Sequence, residues 1–192
     1  MTDAPLWYLA RGTGLVSLML LTVVVALGVA SRSGRPAFGL PRFAVQLLHR
    51  NAALLAAVLL AGHLISLYFD PYAKLRLVDL VIPFAGQYRP FWLGLGTLAV
   101  DLILAIVATS LLRQRIGARG WRIVHSSAYL CWPIAMLHGL QTGTDSGTWW
   151  MRTVLALCAV LMSAAVAWRV SPTFHRFPQR VERRVRTLES VR

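Results

Sequence analysis

Two stretches of this sequence begin and end on histidine. His49 and His63 enclose "HRNAALLAAVLLAGH", and His125 and His138 enclose "HSSAYLCWPIAMLH", so the pairs stand fourteen and thirteen positions apart. Everything between is mostly Ala, Leu and other apolar residues. Imidazole is the side chain whose charge changes near neutral pH, and its neutral form offers a ring nitrogen to a metal. In an apolar setting each such group is costly unless it has a partner or a task. One interhelical hydrogen bond apiece, a proton or metal path, or paired metal ligation would each answer that cost.

The elements that carry these histidines are set by composition. Of the 192 residues, 57% are hydrophobic and 14% charged, against about a quarter charged in a soluble domain. Five apolar runs are long enough to cross a bilayer, at Leu6–Ala30, Phe43–Tyr68, Phe91–Leu112, Trp121–Leu140 and Trp149–Trp168. The fold class expected is therefore an all-α integral membrane bundle of about five helices. It divides into a membrane domain over residues 1–170 and a basic tail over 171–192. Gly28-Val29-Ala30 would suit a signal-peptide cleavage point, but most of the positive charge follows the first run instead of preceding it, so the run reads as a retained helix.

The net charge of +13 invites a nucleic-acid partner, but its distribution points elsewhere. Fifteen Lys and Arg fall in the links after the first and third runs and in the tail, and five (Arg11, Lys74, Arg76, Arg89 and Arg152) on the other face. That asymmetry is the positive-inside bias; it predicts an outside N-terminus and a cytoplasmic C-terminus in a multi-pass cell-membrane protein. The partner it implies is the lipid bilayer, not nucleic acid.

Two depths follow from this layout. The second and fourth runs are separated by one helix and so run parallel. Fourteen residues of helix advance about 21 Å and thirteen about 19.5 Å. His49 then lies level with His125 near the basic face, and His63 level with His138 further across. Two imidazoles facing each other at each of two levels is the ligand set of two bis-histidine haems. Rotation fits the first pair, since fourteen residues return His63 to within about 40° of His49, but thirteen leave His138 about 140° from His125. Pro133, inside the fourth run, is the residue expected to allow a kink or tightened turn that restores the phase.

On this framework the sequence resembles the ferric reductase-like transmembrane domain, a superfamily that includes ferric reductases, NADPH oxidases and the haem-binding subunit of a methionine sulfoxide reductase system. The supporting segments are "WYLARGTGLVSLMLL", "LHRN", "FWLGLGTLAVDLILAIVATSLLRQRIGARGWRIVH" and "HGLQTGTD". The resemblance implies electron transfer across the membrane through b-type haem, one or two groups with two favoured. It implies that His49 and His125 hold the inner haem and His63 and His138 the outer. Many members carry a fused flavin- and nucleotide-binding module; this sequence shows no Gly-rich dinucleotide loop. The expected donor is thus a separate flavoprotein or a quinol, and the acceptor lies outside.

Other polar residues have candidate roles beside that frame. Arg11, a turn inside the first run and next to Gly12 and Gly14, either snorkels to the headgroups or, the favoured reading, partners an outer haem propionate. Arg50 and Arg122 flank the inner pair and serve either its propionates or simple anchoring. Asp101, mid-way along the third run, could bond a neighbouring helix, orient a haem ligand or relay protons. Gly94 and Gly96 mark close packing. Cys131 and Cys158 read as small core residues, and His175 as a solvated histidine of the tail. The competing function is a proton- or metal-translocating protein that uses the intramembrane histidines and Asp101. Broken helices at the midplane, the usual mark of a transporter, are not evident.

Overall fold

The structure is a computed structural model, and it describes residues 5–33, 39–71, 73, 75–172 and 174. Residues 175–192 of the basic tail, His175 among them, lie outside the described residues, as do Arg35 and Lys74 of the charge count. Seven helices are described: α1 Pro5–Arg32, α2 Arg42–Phe69, α3 Leu77–Val81, α4 Pro90–Leu111, α5 Arg113–Ser126, α6 Ala128–Thr142 and α7 Trp149–Val170. Four of them, α1, α2, α4 and α7, are long and apolar enough to cross a membrane. These match four of the five expected runs with ends shifted by one or two residues.

The fifth run is different. Trp121–Leu140 is not one helix but the end of α5 and most of α6, meeting at Ser127. The cause is local. Ser126 Oγ donates to the Ile123 carbonyl and Ser127 Oγ to the Val124 carbonyl, each at 2.7 Å. Serine hydroxyls that bond back along a helix compete with the ladder and bend it. The Ser127 N–H takes the same Val124 carbonyl at 3.0 Å, a tightened i to i−3 turn, and Leu130 N–H repeats the pattern on Ser127 at 2.9 Å. The tightened turn expected at Pro133 therefore sits six residues earlier, and α6 runs on through Pro133. Each 3₁₀-like step adds about 20° to the helical rotation, the direction the thirteen-residue spacing requires. A second break, at Gly117 with φ 76°, turns α5 from its basic start into the last stretch before His125.

The starts of these helices follow their sequences. Pro41 immediately precedes α2 and Pro90 opens α4, positions where a missing N–H costs nothing. α1 packs against α2, α6 and α7; α4 packs against α3, α5 and α6; and α2 packs closely on α1 alone. One core cluster joins Val25 to Trp132, Cys158 and Met162, a second joins Leu18 to Met151 and Leu155. Buried Trp132 donates its indole N–H to Thr22 Oγ1 at 2.8 Å, fixing α6 on α1. At the other end of α6, Arg89 reaches the Gln141 carbonyl at 2.7 Å. That bond ties the first turn of α4 to the last turn of α6.

Candidate haem-ligand site

Three of the four paired histidines are locked by the same device. The Nδ1–H of His49 donates to the Val24 carbonyl at 2.9 Å, that of His63 to the Ala10 carbonyl at 2.7 Å, and that of His138 to the Trp92 carbonyl at 2.9 Å. Four residues after each of those carbonyls stands a glycine: Gly28, Gly14 and Gly96. A Cβ on Gly28 would lie 3.3 Å from the His49 ring, on Gly14 2.8 Å from His63 Nδ1, and on Gly96 2.5 Å from His138 Cε1. The bare glycine gives each imidazole a flat seat, and the carbonyl one turn earlier receives its proton. With Nδ1 committed as donor, Nε2 carries the lone pair, the tautomer a metal ligand needs.

The seats explain the fourteen-residue spacing. α1 and α2 are antiparallel, and Gly14 and Gly28 are fourteen apart, as are His63 and His49. One register therefore seats both levels at once. On the other side, Gly96 of α4 seats His138 of α6. The glycine at 94 does a different job: the ring and backbone of Phe84, from the link after α3, press onto it.

The structure brings His49 and His125 together with ring centroids 6.2 Å apart and planes at 66°. Two imidazoles on one metal, each with a bond of about 2.0–2.1 Å, hold their ring centres roughly 6.3 Å apart once the ring radius is added. His63 and His138 also lie within electrostatic range of each other. The approach of His49 to His125 is the one the helix directions predict. His125 stacks on Trp121 at 4.8 Å and 26°, and its buried Nδ1 has no hydrogen-bond partner among the described residues. Arg113 covers the Trp121 ring at 4.3 Å.

These observations fit haem. Its iron takes two protein ligands; His49 and His125 face each other as such a pair, and three of the four histidines are oriented by backbone carbonyls. Among the described residues no group of three or more His, Cys, Asp or Glu gathers as a metal site.

The remaining candidates are placed as follows. Arg11 pairs with Asp145 of the loop after α6 and lies 4.1 Å over the Trp7 ring. Its guanidinium is already engaged by a carboxylate of this chain. Arg50 and Arg122 are exposed, near His49 and His125 in the chain. Asp101 is half-buried on α4 and accepts no hydrogen bond from any of the four histidines, whose Nδ1 atoms go to carbonyls or to nothing. Cys131 and Cys158 are buried, and Cys131 Sγ contacts the Ala99 carbonyl at 3.5 Å. Sequence reasoning missed Trp121 and the seat at Gly28; the signal for Gly28 was its fourteen-residue distance from Gly14.

Comparison with protein families puts a class to this arrangement. The family model described as ferric reductase like transmembrane component matches residues 13–136. The chain belongs to that family, and it is a multi-pass membrane protein of the electron-transfer type the family represents. The match spans His49, His63 and His125 and stops two residues before His138. No curated protein and no solved structure matches the chain.

Proposed function

We propose that the protein is a membrane b-type cytochrome that carries electrons from one face of the bilayer to the other. The observation that carries this reading is the locked tautomer: three histidines, on two different helices, hand Nδ1–H to a carbonyl beside a glycine and leave Nε2 free. His49 and His125 would hold the haem nearer the basic end, and His63 and His138 the other. Haem iron held in such pairs supplies one-electron relay without bond making, which is what a transmembrane conduit needs.

The residues of the chain do the rest. Gly14, Gly28 and Gly96 let the rings approach; Ala10, Val24 and Trp92 orient them; the Trp132–Thr22 and Arg89–Gln141 bonds hold α6 at the height that brings the pairs level. Residues 1–170 form the functional domain, with the basic tail of 171–192 beyond it. The charge asymmetry puts the N-terminus outside and the His49–His125 pair on the cytoplasmic side of a cell membrane. The donor is a flavin or a quinol, and the acceptor lies outside.

The competing reading, proton or metal translocation through the histidines and Asp101, fares worse on geometry. A histidine relays a proton by exchanging it between its two nitrogens, and here three of the Nδ1 atoms are committed to carbonyls. The deciding experiment is an optical spectrum of the purified protein reduced with dithionite. Sharp bis-histidine haem bands are expected, with one component lost in both His49→Ala and His125→Ala and the other in both His63→Ala and His138→Ala. A colourless protein, or one component lost jointly by His49→Ala and His138→Ala, overturns the two-level assignment.

A further inference from the structure

α6 and α7 both rest on α1, and a groove runs between the first turns of α6 and the last turns of α7. It holds about 430 Å³ and is open along one side, within the range of about 300–1,000 Å³ usual for small-molecule sites. Buried Trp132 and Met162 form its floor, and Tyr129, Pro133, Ser163 and Val166 line it above them. The indole N–H of Trp132 is taken by Thr22, so the ring offers the groove an apolar surface. Tyr129 lies four residues after His125, about 6 Å along a helix axis. The groove is thus close to the level of His49 and His125, at the end of the bundle that the charge asymmetry makes cytoplasmic.

Three polar groups in this apolar setting lack a partner. Every other serine and threonine of the described helices gives its hydroxyl to a backbone carbonyl. Ser163 gives its own to none among the described residues, and the Tyr129 hydroxyl likewise has no partner among them. The third group is a carbonyl. α6 runs on through Pro133, and proline has no N–H to return to the carbonyl four residues before it, which is that of Tyr129. The gap in the ladder therefore lies between two residues that line the groove. Unsatisfied backbone and hydroxyl groups are costly where no water reaches them. A lipid acyl chain lying in the groove would leave all three unpaired.

We infer that this groove is a binding site for the head of a membrane quinol. A quinol carries what the three groups lack. Its phenolic O–H donates to the Tyr129 carbonyl, and its oxygens accept from the hydroxyls of Tyr129 and Ser163. Its flat ring lies against Trp132, and its apolar tail leaves by the open side, away from α1. The inference rests on the reading of the chain as an electron carrier and deepens it: of the flavin and the quinol, the quinol is the donor, and it enters sideways from the bilayer.

The test uses the purified full chain in detergent and two probes, a decyl-tailed benzoquinol and an azido derivative of the matching quinone for photolabelling. Saturable labelling of peptides from α6 and α7 is expected, suppressed by excess benzoquinol. Ser163→Ala and Tyr129→Phe should each weaken binding about 2–10-fold. Pro133→Ala, which gives the Tyr129 carbonyl a ladder N–H, should do the same, and Thr153→Ala, elsewhere on α7, should match the parent. The dimethyl ether of the benzoquinol keeps ring and tail but has no donor, and should compete about tenfold less well. Equal competition by the ether or by decanol marks a lipid crease and overturns the inference, as does labelling confined to other helices or unchanged affinity in all three variants. The optical spectrum of the same sample reports haem separately. Haem bands without labelling of the groove overturn this inference alone, and labelling of a protein without bands overturns the haem reading instead.

Discussion

Replacing each seat glycine by alanine gives a graded series whose order is set by distance. A Cβ at position 96 would stand 2.5–2.9 Å from three atoms of His138, at position 14 2.8–2.9 Å from two atoms of His63, and at position 28 3.3 Å from His49; at position 12 it would meet nothing within 4 Å. In every case the helix itself gains about 1 kcal/mol from the change. At positions 96 and 14 the clash costs about 1–3 kcal/mol, and losing the bond from Nδ1 to the carbonyl adds about 0.5–1.5 kcal/mol. The net loss is roughly 1–3 kcal/mol in the seated ligand, or about 10–100-fold in haem retention. At position 28 a shift of a few tenths of an ångström relieves the contact, and the helix gain offsets about what remains. The assay is the rate of haem loss from each purified, monodisperse variant to an excess of a haem-scavenging protein. Expected rates fall in the order Gly96→Ala, Gly14→Ala, Gly28→Ala, with Gly12→Ala matching the parent. If Gly96→Ala and Gly14→Ala hold haem as tightly as Gly12→Ala, the seats do not orient the ligands.

Other expectations follow from charge. A topology reporter fused after Arg192 should be active only in its cytoplasmic form and one ahead of Met1 only in its exported form; the opposite pattern exchanges inner and outer pairs. Arg76 grips Asp79 through its side chain at 2.8 and 3.2 Å and its own N–H at 3.0 Å, which holds this carboxyl below its ordinary value of 3.8. A depressed carboxylate contributes stability in full above that ordinary value and loses it as pH falls through the lower folded one. Limited proteolysis of the link around α3 should therefore accelerate only in acid below about pH 3.8, and Asp79→Asn should remove the pH step. The Arg11–Asp145 pair is partly exposed, so Asp145→Asn should cost about 0–1 kcal/mol in a denaturation series while leaving both haem components in place; loss of the outer component would tie Asp145 to the haem.

Much of this architecture is legible from spacing alone. Apolar length marks the crossings, and the parity of crossings makes α2 parallel to α6, so the two levels follow without coordinates. The seats are harder to read, because a glycine in an apolar run signals close approach without naming what approaches. Gly96 and Gly14 are visible as packing glycines but not as histidine platforms, and Gly28 looks like part of a cleavage motif. The thirteen-residue spacing shows that a phase correction exists, yet proline is the more conspicuous breaker in that segment. The paired serines at 126 and 127 bend and tighten the segment through hydroxyl bonds that no periodicity reveals, and so supply part of that correction. Trp121 is hidden for a similar reason, since an aromatic at a helix edge reads as an interfacial anchor until its ring is seen against His125.

The shared register of α1 and α2 constrains how this chain can change over generations. One inserted residue between Gly14 and Gly28 would turn one seat by about 100° and displace it by about 1.5 Å relative to the other, and the same insertion between His49 and His63 would do equal damage. Both intervals are therefore closed to insertion and deletion unless they change length together. The link joining the two helices has no such restriction. Lineages should accordingly vary freely in length between α1 and α2 while keeping the two fourteen-residue intervals fixed, like two rulers cut to one scale.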